Sequence, residues 1–449
     1  MGPISASPAV SPIGVDPLPW PRPARAWGMV ALLFVAGICS IIDRAILNMV
    51  VDPVRQSLGI GDAQIGLLQG LAFGLFYAFM GLPMGLLADR ISRKRLLMGG
   101  ILLWSVATIA SGLATTFGHL FAARLLVGLG EAALGPSAIS LIADLFPADR
   151  RGRPISVYMM GQALAAGLAM AFTGRILSAA AAGAFAHWPL LATLPPWRIA
   201  FVIAGASGLL VVLAMMTTRE PPRRQQGPVL PIPTPGESAR WFWSNKAVLA
   251  PLYVGFAVCF VAAYGAAAWQ PTMLMRSFHI TPQIVGARLG PLSMLFSATG
   301  PLIGGWLVDR SMKRGQVMSR FTILSIAPLL ALPSTLAVLA PSVNWAMVIV
   351  ASGNAVYAVS GTVMFATLQE IVPPRMRGTS IALTLVLNTL LGATCGPLLV
   401  AMVTERVLGD PAAVGWSVAL VAAPAVVLGG LLFAIGGKAM RRASAISAS

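Results

Sequence analysis

The chain has 449 residues, of which 57% are hydrophobic and only 10% charged. A soluble domain carries roughly 25% charged residues, so this composition excludes a water-soluble globular protein and places the chain in a bilayer. The formal charge of +17 would suggest nucleic acid in a soluble protein, but its distribution between loops gives topology as its cause, and no nucleic-acid role is assigned.

A membrane-spanning helix needs about 20 mostly apolar residues, because the hydrocarbon core is roughly 30 Å thick and every backbone polar group within it must be satisfied inside the helix. Twelve such stretches are predicted, at 27–50, 65–87, 96–115, 119–143, 154–179, 198–217, 247–275, 284–308, 320–339, 343–370, 378–403 and 413–437. The expected fold is an all-α membrane protein of two pseudo-symmetric six-helix bundles. Residues 1–26, rich in Pro, Ser and Ala, lack the charged start and apolar run of a cleaved signal peptide and read as a disordered cytoplasmic tail.

The first span carries Asp43 and Arg44, ionisable groups that cost several kcal/mol at membrane depth unless paired or wetted. The second holds Gln69 and Tyr77 and ends in the loop segment Gly85–Arg95, which contains Asp89, Arg90 and Arg93. The fourth places Arg124 and Glu131 seven residues apart, about 20° short of two full turns, so both face one way with Glu131 roughly 10 Å deeper. Asp43 and Arg124 come out at comparable depth and are expected to pair across the first half, whereas Asp43 and Arg44 diverge by about 100° and are not expected to pair. The fifth span adds Tyr158 and Gln162. A Pro-rich linker, 219–246, then separates the N-terminal bundle 27–218 from the C-terminal bundle 247–437, which ends in a cytoplasmic tail, 438–449.

In the second half, Trp269-Gln270-Pro271 is the best cavity candidate, since Pro271 is expected to break the seventh helix beside these polar groups. Asn354, Tyr357 and Asn388 are further polar or aromatic residues inside spans. Each such residue also has an ordinary reading as an interhelical hydrogen bond or an interfacial anchor. No acid or base lies deep in the spans of this half, because Glu370 falls at the cytoplasmic end of the tenth. Cys39, Cys259 and Cys395 lie in spans without metal-ligand spacing, and the Met and Phe residues read as packing or lipid-facing groups.

Of 31 Lys and Arg, 23 fall on the side of the two termini and six on the other (Arg55, Arg175, Arg198, Arg276, Arg288 and Arg406). Both termini are therefore expected in the cytoplasm. GLLADRISRKR at Gly85–Arg95 returns as GWLVDRSMKRG, with Gly305, Asp309 and Arg310 displaced by 220 positions, and Pro147, Arg151 and Gly152 recur 226 positions later as Pro373, Arg377 and Gly378. The chain is internally duplicated, as alternating access of two rigid bundles around a midplane cavity requires.

On these residues the chain resembles the major facilitator superfamily over nearly its whole length. The loop after the second span matches the family's G-x-L-x-D-R-x-G-R-K-x motif except that Ser92 stands where Gly is usual, and the fourth span carries R-x-x-x-G-x-G as Arg124, Gly128 and Gly130. Ile42-Asp43-Arg44 and the segment Gly128–Arg153 look most similar to the spinster-like branch of sphingolipid and lysolipid transporters. The fifth span lacks the G-x-x-x-G-P-x-x-G-G pattern of proton-linked drug antiporters.

The resemblance implies a secondary transporter with Asp43 and Glu131 as proton-coupling residues. It also implies inward gates at Gly85, Asp89, Arg90, Arg93, Gly305, Asp309 and Arg310. Arg44 and Arg124 suit an anionic head group by the geometry of guanidinium with phosphate or carboxylate. The competing reading of these charges is a fixed network tying the first and fourth helices together. A monomer is expected, without cofactor or metal, in a bacterial inner membrane, with protons, membrane lipids and a small-molecule or lipid substrate as partners. A proton-linked organic-anion symporter or a drug exporter of another branch is the alternative. An intramembrane enzyme lacks candidate residues beyond Asp43 and Glu131, since His119, His187 and His279 start no H-x-x-x-x-D or H-E-x-x-H arrangement and no G-x-S-x-G elbow is present.

Overall fold

A computed structural model describes residues 19–224, 234–313 and 317–448. Of the expected N-terminal tail, residues 1–18 lie outside the described residues, as do 225–233 of the expected linker. Among the described residues, eleven helices are long and apolar enough to cross a membrane.

The first, Pro23–Met49, begins four residues before its predicted start, where Pro at the first helical position has no N–H to leave unsatisfied. The second, Asp62–Arg90, bends at Gly70. The fourth, Phe117–Leu145, loosens at Ala132 and Ala133. Pro136 explains that break, because it cannot donate to the Ala132 carbonyl and its ring crowds it. Glu131 is the last residue before the break.

The predicted ninth span is not one helix. It is a series of pieces, Val317–Ile326, Ala327–Ala331, Leu332–Thr335 and Ala337–Leu339, interrupted near Pro328 and Pro333, and it packs between the tenth and twelfth spans. The eleventh, Pro374–Leu408, contains a π-helical stretch, Asn388–Cys395, just before Pro397. The seventh, Lys246–Phe278, runs unbroken through Pro251 and Pro271, so the expected break at Pro271 does not occur. A continuous helix of that length absorbs Pro when neighbouring helices hold its freed carbonyl in place. Within the linker, Pro235–Ser244 forms a short helix started by a reciprocal Thr234–Glu237 capping box, and the last helix, Val414–Ala448, continues into the expected C-terminal tail.

Packing repeats with a displacement of six helices. The first span packs on the fifth, the second on the fourth and the third on the sixth; correspondingly the seventh packs on the eleventh, the eighth on the tenth and the ninth on the twelfth. Across the seam between the halves, the fifth meets the eighth and the second meets the eleventh.

The buried apolar residues divide unequally along the membrane normal. One cluster joins both halves at the end away from the termini, running from Ile46 and Leu68 in the first half to Trp269 and Val400 in the second. Toward the termini the core separates into a cluster around Leu33, Trp104 and Leu141 and another around Phe256, Phe321 and Val363.

Candidate functional site

The seam helices touch through residues without side chains, which lets two backbones approach closely. A Cβ placed on Gly66 would come within 2.6 Å of the Ala401 side chain, and one on Gly70 would strike the Thr394 carbonyl. Between the fifth and eighth spans, a Cβ on Gly174 would come within 2.9 Å of Gly286 Cα. Further toward the termini, Gly85 and Gly305 have nothing within 4 Å of where a Cβ would stand. The halves are thus closed at the end away from the termini and diverge toward them.

Ion pairs fasten the closed end. Arg276 reaches across the seam to Asp52 at 2.7 Å and to Asp62 at 2.9 Å, and Arg55 adds a contact to Asp62 at 3.1 Å. Glu405 accepts from the Ala63 backbone N–H at 2.7 Å, again across the seam. Gln69 belongs to the same region, donating to Asn48 at 3.1 Å and to the Ala268 carbonyl at 3.3 Å. Sequence reading missed Asp52, Asp62, Arg276 and Glu405 as functional residues. The available signal was Arg55 and Arg276 standing on the arginine-poor side of the chain.

At the open end the ion pairs among the described residues join groups of one half, or a half and the linker. Arg93 pairs with Asp144 and Glu220, and Arg320 pairs with Glu370. These two sets are themselves duplicates, since Arg320 lies 227 positions after Arg93 and Glu370 lies 226 after Asp144. Arg320, expected at a loop edge, is only 2% exposed. The expected gate residues Asp89, Arg90, Asp309 and Arg310 are exposed.

The linker grips the open end of the first half. Arg223 donates to the backbone carbonyls of Ala88, Asp89 and Ile91, the unsatisfied C-terminal carbonyls of the second span. Glu220 accepts from the Ser92 hydroxyl and from the Arg93 backbone N–H at the start of the third span. Burial alone would raise the Glu220 carboxyl, but the hydrogen bonds from Ser92 and Arg93 outweigh it and hold that carboxyl below its ordinary range. Arg224 donates to Asp144 through both its backbone N–H, at 3.0 Å, and its side chain.

Between the two ends lies the charge cluster. Asp43, Arg124 and Glu131 are each at most 1% exposed, while the Arg44 side chain is 31% exposed. The pairing differs from the expected one. Arg44 Nε lies 2.9 Å from Glu131 Oε2, and the same carboxylate oxygen accepts from the Ser40 hydroxyl at 2.7 Å. Arg124 donates to the Asp43 backbone carbonyl at 2.9 Å, not to its carboxylate. The Asp43 carboxylate is buried with the Thr108 hydroxyl as its side-chain hydrogen-bond neighbour, and Glu131 Oε1 is buried without a partner among the described residues. Relative depth, which helical rise gives, does not fix which atoms meet; the lateral packing of the first span on the fourth decides that.

Arg44 is the member that faces the opening. Its guanidinium lies 4.5 Å from the Phe73 ring centroid and 5.5 Å from that of Tyr77, and the two rings stack on each other. Tyr158 and, from the second half, Tyr264 stand near it. The predicted Tyr77, Tyr158 and Gln162 are thereby brought together, with Gln162 donating to the Tyr158 hydroxyl at 3.2 Å. Phe73, Tyr264 and Ser40 were not singled out from sequence, since each is an ordinary residue within an apolar helix.

The second half's candidates are placed differently. Trp269 is inaccessible and donates to the Pro397 carbonyl at 2.9 Å, an interhelical bond within that half. Gln270 is buried, and neither of its amide atoms has a partner among the described residues. The Tyr357 hydroxyl and Asn388 Oδ1 are likewise buried and unpartnered, Asn388 opening the π-helical stretch of the eleventh span. Asn354 is half-buried. Among the described residues no group of three His, Cys, Asp or Glu side chains is placed to hold a metal ion.

The sequence profile of the Major Facilitator Superfamily matches residues 33–397. An MFS-type efflux pump from Mycolicibacterium smegmatis is 27% identical over 424 residues, covering 94% of each chain. Human protein spinster homolog 1 is 29% identical over 409 residues, covering 86% of this chain and 74% of the human one. Among solved structures, a bacterial homolog to the human lysosomal transporter spinster, in an inward-facing and unoccupied conformation, superposes with a TM-score of 0.78 at 27% identity, over 94% of this chain and 98% of that one. This chain is an integral, multi-pass secondary transporter that belongs to the Major Facilitator Superfamily and resembles its spinster-like branch.

Proposed function

We propose that the protein is a proton-coupled transporter of an amphiphile with an anionic head, such as a lysolipid or a sphingolipid phosphate, working in a bacterial inner membrane with both termini in the cytoplasm. In that orientation the conformation described is inward-open, with the outer side latched by Arg276. The observation that carries the reading is Arg44: it is half-exposed to the opening, backed by aromatic faces, and paired with the buried Glu131. A single guanidinium therefore stands between an internal carboxylate and an incoming anion.

Protonation of Glu131 removes the charge that holds Arg44 and frees the guanidinium for phosphate or carboxylate. Binding of the anion in turn leaves Glu131 to take a proton. By linkage each event favours the other to the same extent, so proton and anionic head are expected to bind together. Asp43 supplies a second exchangeable carboxyl, which can gain or lose a proton without breaking the contact of Arg124 to its backbone carbonyl. Alternation then separates the latched outer end and brings Asp89 and Asp309 with their neighbouring basic residues together.

The test is pH-driven transport of a lysolipid in proteoliposomes. Glu131→Gln should lose the dependence on the proton gradient and about tenfold or more in rate, as loss of a charged hydrogen bond implies. Asp43→Asn should weaken the dependence while leaving binding intact. Folded variants with unchanged proton coupling would refute the proposal. The identity with the mycobacterial efflux pump favours, as a second reading, efflux; cationic drugs that drive counterflow better than lysolipids would select a drug exporter.

A further inference from the structure

Outside the central opening, the start of the first span and the loop between the fourth and fifth enclose a surface cavity of about 690 Å³, with Trp20, Trp27, Phe146, Arg150 and Arg153 among its lining residues. Its walls and rim differ in chemistry. Trp20 and Trp27 are 44% and 40% exposed, and Trp27 meets Phe146 edge-on with ring centroids 5.5 Å apart. At the rim, Arg150 and Arg153 are exposed, and Asp149, 3.6 Å from Arg150, is the acid among the lining residues. That pair is solvent-exposed on both sides, so it holds the Arg150 guanidinium only weakly. Arg151 between them is already committed, donating to the Phe146 carbonyl at 2.9 Å.

Position adds to composition. The cavity sits at the start of the first membrane-spanning helix, at Pro23, and at the ends of such helices indole rings settle among lipid carbonyls and guanidinium groups reach phosphates. We propose that this cavity is a binding site for an anionic phospholipid of the surrounding bilayer, its phosphate held by Arg150 and Arg153 and its glycerol and upper acyl chain laid against Trp20, Trp27 and Phe146. The site is separate from the transport pathway and does not depend on which substrate is carried. One wall reaches the gate: Arg224 lies 3.8 Å from the Trp20 ring centroid and also binds Asp144, the partner of Arg93. A lipid seated against Trp20 therefore braces the linker where it grips the first half.

The competing explanation is diffuse attraction, in which any basic residue near the anionic leaflet contributes about 1 kcal/mol irrespective of its place. Thermal unfolding of the full chain in mixed micelles separates the two. Phosphatidylglycerol, compared with phosphatidylcholine at equal content, should raise the midpoint by roughly 2–4 °C. The shift should vanish in R150Q/R153Q, persist in R150K/R153K, and persist in R375Q/K438Q, which removes two exposed charges from the same membrane side of the second half. Equal shifts with both lipids, or equal losses in R150Q/R153Q and R375Q/K438Q, would overturn the site. Full reproduction of the shift by free glycerol phosphate would also overturn it, since the ligand would then not be a bilayer lipid.

Discussion

The two ends of the seam between the halves are built from the same kinds of residue and reach opposite outcomes. At the end away from the termini, Arg276 and Glu405 cross to the first half and one apolar cluster runs through both bundles. At the terminal end, Arg93 and Arg320 are also paired with carboxylates, but each with partners of its own half or the linker, and the apolar core has split in two. The lesson is that charge pairing alone says little about a gate. What matters is whether the pair bridges the surfaces that must part.

The sharpest way to break this comparison is to remove the bridge at the closed end. In Arg276→Ala, Asp62, which is 2% exposed, keeps only Arg55. Stripping a partner from a buried charge costs about 3 kcal/mol, enough to shift a two-state equilibrium roughly a hundredfold. Spin labels at the exposed Ser57 and Val407, on opposite sides of the seam, should then gain a longer-distance population; an unchanged distribution would mean that the apolar cluster by itself closes that end.

A smaller effect is expected from the glycines that follow the same gradient. Gly70→Ala places a methyl against the Thr394 carbonyl and should destabilise the purified protein by about 1–3 kcal/mol. Gly85→Ala enters open space and should be neutral or gain up to about 1 kcal/mol of helix propensity. Equal midpoints for the two variants in thermal unfolding would remove the argument that the second and eleventh spans diverge along their length.

The smallest effect concerns the linker. The Glu220 carboxyl is held below its ordinary range in the folded protein, so its contribution is fully present above the unfolded value of about 4.3 and is lost as pH falls through the lower folded value. Acidification across that window should loosen the linker, measured as faster proteolysis near Arg219–Arg224, and Glu220→Gln should cleave at the fast rate at neutral pH. A pH-independent rate in the unmodified chain would show that Arg223 and Arg224 suffice to hold it.

The fold was legible because bilayer insertion writes itself in one dimension. Apolar runs and the displaced loop motifs give spans and duplication without knowledge of any contact. The ninth and seventh spans mark where that ends. Both contain prolines within apolar runs, and only the first is broken up, because whether a freed carbonyl is tolerated depends on the neighbours packed around it.

The same division holds in the charge cluster. Sequence alone determined that Asp43, Arg44, Arg124 and Glu131 lie at membrane depth in the first half, since helical rise and composition suffice for that. Only the tertiary structure decided that Glu131 meets Arg44, that Arg124 meets the Asp43 carbonyl, and that the end away from the termini is closed by Asp52, Asp62, Arg276 and Glu405. Depth is a property of one helix, whereas a partner is set by the rotation and approach of two. Polar residues beyond the apolar runs carry no periodic signal that would announce the surface they close.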